Sequence, residues 1–193
     1  MWIASDYIET VRSAFQFEAN QSFCQIATVA RDNGQCIPKS RTVRLYLEQE
    51  RNAFRFNCST QSQKWHQLQT TPKATGLYMD WQTAIQYRFE ADAVLIDKQS
   101  NDEVSFYEMT WHKMRPDLRH ILWQEYLGDA QADYDIEQIH PCHGVVLLKP
   151  YFWDIFQLDK QDYGQSNRTQ IIWQHDQWRI VDNASIVSPQ EPS

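Results

Sequence analysis

Three side chains near the middle of the sequence have the chemistry and the spacing of an anion site. Ser62 and Lys64 stand at the start of a segment with helical periodicity, and Arg41 opens an earlier strand-like run. The first turn of a helix has backbone N–H groups without partners and carries the positive end of the helix dipole. A hydroxyl, an ammonium and a guanidinium there would match the oxygens of a phosphate. Alternatively, Ser62 only caps the helix, and both cations are solvated.

The elements that would position these residues are mainly strands. Alternating apolar residues flank Asn33-Gly34, which predicts a β-hairpin, and Pro38 indicates an edge position or a bulge in its second strand. A further strand is predicted over residues 53–58. Later runs, KATGLYMD, TAIQYRFEADAVLID, VVLLK, YFWDIFQL, TQIIWQ and WRIVD, predict strands that would complete a sheet. Seven or more strands with few helices predict a mainly β protein, a β-barrel decorated with helices.

Helical periodicity appears in four places. The first helix is predicted over residues 4–18, capped near Ser5 or Asp6, with one apolar face made of Ile8, Val11 and Phe15. A second helix follows Ser62, buries Trp65 and Leu68, and ends before Pro72. Two more are separated at Arg115-Pro116, because the residue before a proline disfavours α geometry. We expect one domain over residues 1–183 and a flexible tail over 184–193.

Composition narrows the class of function. The net charge of −7 argues against a nucleic-acid binder, and only 5 glycines make a Gly-rich nucleotide loop improbable. Neither a membrane span nor an export signal is visible, so we expect a cytoplasmic protein. The four cysteines, which lack C-x-x-C spacing, are interpreted as reduced thiols. His140, Cys142 and His143 match no zinc pattern, and we predict no metal site.

Several segments, taken in order, resemble a known flavoprotein family. SRTVRLY, FRFNCSTQSQKWHQL and WQTAIQYRFEADAVL are similar to FMN-binding segments of the pyridoxamine 5′-phosphate oxidase family, and more similar still to a divergent branch of it. WHKMRPDLRHILW resembles its helix junction, and NRTQIIWQHDQWRI resembles its last flavin-contacting segment. The resemblance spans about residues 23–182, and it rests on the ordered combination of short motifs.

The resemblance implies a homodimeric FMN-binding split barrel, with one FMN in each of two clefts at the subunit interface. Arg41, Ser62 and Lys64 would hold the FMN phosphate, strand residues 43–45 would run along the ring, and Gln86 and Arg168 would also touch it. The full set of predicted cofactor positions is Arg41, Thr42, Val43, Arg44, Leu45, Tyr46, Asn57, Cys58, Ser62, Gln63, Lys64, Gln86 and Arg168.

The same resemblance places a small-molecule substrate near Trp111, Arg115 and Arg119. Two arginines there suggest an anionic substrate, although they could equally form ion pairs with Asp117 or Glu125. No residue is nominated firmly for proton transfer, so the catalytic residues stay unknown.

Departures from the family pattern concentrate at the substrate end. Tyr46 replaces a lysine, and Asn57 and Cys58 replace a tyrosine and a threonine. Gly164-Gln165-Ser166 stand where the family has an R-L-H triplet that binds pyridoxamine phosphate, and Leu158 replaces a flavin-stacking tryptophan. The resemblance therefore implies a partly kept cofactor site and weak or absent turnover of pyridoxamine phosphate.

Three hypotheses follow. The favoured one is an FMN-dependent oxidoreductase with an unknown small-molecule substrate. The second is a split-barrel protein that binds a flavin or another flat ligand without turnover. The third is a barrel without a cofactor that has a structural or interaction role.

Overall fold

A computed structural model describes residues 4–16, 23–127 and 134–181 of the chain. The helices are α1 (Ala4–Gln16), α2 (Gln63–Thr70), α3 (Val104–His112) and α4 (Pro116–Leu127). The strands are β1 (Phe23–Asp32), β2 (Gln35–Arg44), β3 (Tyr46–Glu48), β4 (Ala53–Ser59), β5 (Lys73–Asp80), β6 (Ile85–Ile96), β7 (His143–Gln157), β8 (Asn167–Gln174) and β9 (Gln177–Ile180). The prediction of a mainly β fold with a few helices is confirmed.

All nine strands belong to one antiparallel sheet. Its main path runs β2-β1-β5-β6-β7-β4-β3, and β8 joins β7 to β9. Because β2 and β3 stand at the two ends of this path, the short connection through Leu45 brings the chain from one edge of the sheet to the other. This crossing brings residues 42–46 beside the end of β4.

The β1–β2 hairpin forms where the sequence predicts it. Asn33 and Gly34 have φ values of 48° and 81°, the left-handed geometry that a two-residue hairpin turn requires. Pairing continues from Asp32↔Gln35 to Phe23↔Arg44 without interruption. Pro38 lies in the edge strand β2, where its missing N–H costs no ladder bond to a further strand.

Two runs predicted as separate strands form the single strand β7. This strand pairs with β4 through residues 143–148 and with β8 through residues 152–157, and β6 lies along both halves. Pro150 sits between the halves, where the β6–β7 register shifts between Glu90 and Ala91. A proline is tolerated at such an irregularity because no ladder hydrogen bond is required of it.

The core lies between the sheet and α1. Phe54, Phe89 and Trp153 are at most 3% exposed, and the Phe15 ring of α1 lies 4.7 Å from that of Phe54. Val11 and Phe15 are buried, which confirms the predicted apolar face of α1. The cap near Ser5 or Asp6 is wrong, because the helix already includes Ala4.

Several other predictions can be located in the fold. Residues 17 and 18 of the first predicted helix and the tail over 184–193 lie outside the described residues. Trp65 and Leu68 are buried under α2, as expected. Within the described ranges, no helix is long and apolar enough to cross a membrane.

Candidate functional site

A cleft of about 380 Å³ opens between the crossing at residues 42–46, the start of α2 and one face of α4. This volume lies within the range of small-molecule sites. Most of the predicted cofactor positions line it, namely Thr42, Val43, Arg44, Tyr46, Asn57, Cys58, Ser62 and Lys64. Leu45 is buried in the core and Gln63 is exposed, and neither lines the cleft.

The start of α2 presents a hydroxyl group that the fold does not use. Ser62 is the N-cap residue, yet its side chain makes no capping hydrogen bond, and its buried Oγ forms no hydrogen bond of good geometry, its one neighbour of note being the weakly bonding Cys58 thiol. The Trp65 and His66 N–H groups instead donate to the Ser62 carbonyl at 3.0 and 3.3 Å. Because an unsatisfied buried hydroxyl is costly, a ligand atom that bonds to Ser62 Oγ would gain favourable energy.

Lys64 adds a positive charge to the same wall. Within the described part of the chain, no carboxylate pairs with its ammonium group. One titratable neighbour is Cys58, whose pKa burial raises to about 11, although the charge of Lys64 and the Ser62 hydroxyl act to lower it. The Cys58 thiol is therefore neutral near pH 7, and it does not neutralise Lys64.

Arg41 lies beside α2, but its guanidinium is already engaged. One terminal nitrogen donates to Gln67 Oε1 at 2.9 Å, and the other donates to the Thr28 hydroxyl. Thr28 in turn donates to Gln67 Oε1 at 2.6 Å. Gln67 follows Lys64 by almost one helical turn, so Arg41 approaches the same side of α2 without lining the cleft. Burial lowers the pKa of the Arg41 guanidinium.

Two arginines pack against the Tyr46 ring on the side of the cleft next to β4. The guanidiniums of Arg44 and Arg55 lie 5.0 and 4.3 Å from the centre of the Tyr46 ring. Arg55 is 4% exposed, donates to Glu48 at 2.6 Å and donates to Asn57 Oδ1 at 3.1 Å. Asn57 also lines the cleft, and its amide oxygen is held by Arg55. Arg55 was not predicted as a site residue, since an arginine between two buried phenylalanines is typical of an outward-facing strand position.

Gln86 and Arg168 occupy another part of the sheet. They face one another across β7 in the row Gln86↔Phe156↔Arg168, and neither lines the cleft. Arg168 Nε donates to Asp154 Oδ1 at 2.8 Å, and Arg88 donates to Asp154 Oδ2 at 2.7 Å. In one chain, this pair is therefore separate from the start of α2.

None of the three predicted substrate residues lines the cleft of the single chain. Trp111 is fully buried, with its ring 5.2 Å from that of His143. Arg119 is 6% exposed and donates to Glu137 at 2.9 Å and to the Ile136 carbonyl at 3.2 Å. Exposed Arg115 pairs with Asp117 at 2.7 Å, one of the two alternatives left open by the sequence. Both arginines are thus paired with carboxylates.

Apolar residues of the α3–α4 region supply the opposite wall instead. Met114, Leu118, Ile121 and Leu122 line the cleft, and Ile121 is 46% exposed. The sequence analysis did not assign them to the site. In the sequence, these residues form an apolar face of α4. Periodicity in a single sequence cannot tell whether such a face packs against the core or lines a ligand site.

The histidines near β7 belong to the interior. His140 Nδ1 accepts from the Cys142 N–H at 3.0 Å, and His143 Nε2 lies 3.1 Å from Thr110 Oγ1. Burial, followed by the charge of Arg55 and the neighbouring His140, lowers the pKa of His143 to about 3, so its ring is neutral. Across the described residues, no group of three or more ligating side chains could hold a metal ion.

Comparisons with known proteins agree with this geometry. The family model described as pyridoxamine 5′-phosphate oxidase matches residues 11–128. A pyridoxamine 5′-phosphate oxidase-related, FMN binding protein from Nostoc punctiforme is 22% identical with a TM-score of 0.74, covering 94% of this chain and 98% of that chain. PhzG from Burkholderia lata, solved in complex with tetrahydrophenazine-1-carboxylic acid, is 16% identical with a TM-score of 0.63, covering 92% and 88%. No curated protein matches the chain. These two likenesses establish a shared fold.

Proposed function

The chain belongs to the pyridoxamine 5′-phosphate oxidase family, and from this premise we propose that it is an FMN-dependent oxidoreductase acting on a small molecule. The observation that carries the proposal is the start of α2, where a buried hydroxyl without a well-formed hydrogen bond and an ammonium without a carboxylate partner, among the described residues, line one cleft. Both groups suit a phosphate dianion.

The residues present fit FMN. Ser62 Oγ, Lys64 Nζ and the N–H groups at the start of α2 would hold its phosphate, and Arg41 would add positive charge from behind the helix. Backbone groups of residues 43–45 and the amide nitrogen of Asn57 would offer hydrogen bonds to the polar edge of the ring. When bound, FMN supplies hydride and single-electron transfer, and the protein supplies position and electrostatics.

We propose further that the active form is a homodimer. Gln86 and Arg168 lie in one row of β6, β7 and β8, apart from the cleft of their own chain. If they contact FMN as the family resemblance implies, they must do so from a partner subunit. A mixture of Lys64→Ala and Arg168→Ala chains should then regain flavin binding in a part of the dimers, whereas monomeric protein on size exclusion would contradict the proposal.

A second candidate function is flavin binding without turnover. The described residues that line the cleft include no Asp, Glu or His, and the Cys58 thiol has its pKa raised to about 11. The cleft of a single chain therefore offers no obvious proton-transfer group near neutral pH. A partner subunit or the substrate itself would have to supply that group in an oxidoreductase.

The absorbance spectrum of the purified protein, with mass spectrometry of the released ligand, tests the first step. Flavin bands and the mass of FMN are expected, and a colourless protein that takes up no added FMN would contradict the proposal. Anaerobic addition of NADPH or an amine then separates the two functions. Bleaching that recovers in air indicates an oxidoreductase, whereas an unchanged spectrum with every donor favours binding alone.

A further inference from the structure

We infer that Arg44 is a substrate-recognition residue and that the substrate is a flat, mainly apolar molecule with one acidic group. The inference rests on the proposed flavin site, since it concerns the part of the same cleft that the FMN phosphate does not use. The acidic group of the substrate is then expected at Arg44 and not at Arg115 or Arg119, which are paired with Asp117 and Glu137.

Arg44 is a positioned cation with free hydrogen-bond donors. It lines the cleft and is half-buried, and none of the described residues accepts a hydrogen bond from it or pairs with its charge. Its guanidinium packs 5.0 Å from the centre of the Tyr46 ring, against which Arg55 packs as well. Stacking on an aromatic ring holds a guanidinium in place while its edge stays available for a carboxylate.

The wall across the cleft is apolar and incompletely covered. Leu118, Ile121 and Leu122 of α4 line it together with Met114, and Ile121 remains 46% exposed. Phe23, which pairs with Arg44 in the β1–β2 register, also lines the cleft and is 54% exposed. The part of this apolar surface that the proposed partner subunit leaves open inside the cleft is stabilised by an apolar ligand, and flat rings match such a wall best.

The charges of the cleft divide between two ligands. Ser62 and Lys64 lie at the start of α2 and suit the phosphate of FMN, whereas Arg44 lies on the crossing strand. An oxidised isoalloxazine ring is neutral, so Arg44 remains for a second anion. One guanidinium matches one carboxylate bidentately, and the apolar wall adds no further cation for a phosphate ester.

The test uses 2-naphthoate and its neutral counterpart 2-naphthamide as probes. Each is titrated into the FMN-loaded protein by perturbation of the flavin spectrum, and also by calorimetry, which does not require flavin. We expect naphthoate to bind more tightly than pyridoxal 5′-phosphate. At matched FMN occupancy, Arg44→Gln should weaken naphthoate binding by about tenfold or more and leave naphthamide binding unchanged. Arg44→Lys should weaken it less, and Leu118→Asn should weaken both probes.

Three outcomes would overturn the inference while leaving the flavin proposal intact. The first is equal naphthoate affinity in the wild type and Arg44→Gln. The second is a loss of naphthoate affinity in Arg115→Gln but not in Arg44→Gln, which would mean that the α3–α4 junction recognises the acid. The third is a changed flavin reduction potential in Arg44→Gln with unchanged naphthoate binding, which would assign Arg44 to the cofactor. A protein without flavin whose calorimetric naphthoate binding still depends on Arg44 would separate failure of the flavin proposal from failure of this one.

Discussion

The start of α2 and the α3–α4 junction use similar polar and charged residues in opposite ways. At the start of α2, Lys64 has no carboxylate partner among the described residues, and Ser62 Oγ has only the Cys58 thiol as a weak neighbour. At the junction, Arg115 and Arg119 each have a carboxylate partner. Both regions matched the family by sequence. The difference suggests a rule for this chain: a charged residue that the fold leaves unpaired is the better candidate for ligand binding, and one that the fold pairs is the better candidate for a structural contact.

Substitution of Trp111 should have the largest effect and should be purely structural. Trp111→Ala removes a fully buried ring that packs against His143, so the free energy of unfolding should fall by about 3–5 kcal/mol. Denaturant titration measures this, with Trp81→Ala as the control because Trp81 is 79% exposed. If Trp111→Ala kept full stability but lost substrate binding, the comparison would fail, and the junction would be part of the site after all.

Acidic pH should lower the free energy of unfolding, because it protonates His143, which packs next to Trp111. The pKa of His143 is about 3 in the folded protein, chiefly because of burial, against about 6.5 when unfolded. The stabilising contribution of the neutral ring is therefore complete above about pH 6.5 and is lost as the pH falls toward 3. At pH 4.5 the loss should be about 2–3 kcal/mol. His140, whose pKa burial also lowers, acts in the same direction.

Chemical denaturation of the wild type between pH 7 and pH 4.5 would measure this effect. Glutamates begin to titrate at the lower end of this window, so a variant without the His143 ring is needed to isolate the histidine contribution. His143→Gln should reduce the slope of stability against pH. A flat profile in the wild type would show that the ring is accessible to protons in the folded state.

Removal of the Lys64 charge should act on the ligand and not on the fold. Lys64→Ala is expected to weaken FMN binding by about 1–3 kcal/mol, because a charge-assisted contact to the phosphate is lost. The stability of the flavin-free protein should stay unchanged, since no described carboxylate pairs with Lys64. Arg41→Ala should weaken FMN binding over the same range, but it should also destabilise the protein through Thr28 and Gln67.

Flavin retention after dialysis and calorimetric titration of FMN would measure these affinities. Lys98→Ala provides the control, since Lys98 is an exposed lysine outside the cleft. Unchanged flavin retention in both Lys64→Ala and Arg41→Ala would remove the phosphate site.

Substitution of Ser62 should have the smallest effect, and it should change FMN affinity without changing the stability of the flavin-free protein. Replacing a capping serine by alanine usually costs about 1 kcal/mol of stability. Ser62 makes no capping hydrogen bond, so Ser62→Ala should leave the flavin-free protein as stable as the wild type. It should still cost FMN affinity of about 1 kcal/mol. Thermal melts with and without FMN would separate the two, and a normal capping cost would show that the hydroxyl is used by the fold.

Local patterns in the sequence were sufficient for much of the fold. Asn33-Gly34 predicted the hairpin because few residue pairs tolerate two left-handed conformations in succession. Val11 and Phe15 predicted the buried face of α1 by their spacing. Pro150 misled the prediction of β7, because a proline within a strand reads as a break unless the partner strand also shifts its register.

Long-range partners are what the sequence could not give. The start of α2 was predictable because Ser62 and Lys64 are neighbours in the chain. The pairing of Arg119 with Glu137 depends on how the segment after α4 returns, and no local pattern encodes that return. Arg55 was missed for a different reason: an arginine between two phenylalanines reads as outward-facing, and its burial beside Glu48 is visible only once β3 pairs with β4.

The position of β7 in the sheet has a consequence for synthesis of the protein. Residues 54–59 of β4 pair with residues 143–148, so one ladder edge of β4 stays unpaired until a late part of the chain leaves the ribosome. Such an apolar, unpaired edge invites association with other chains. Slower translation or a holding chaperone should therefore affect the yield of folded protein more than any single substitution at the surface.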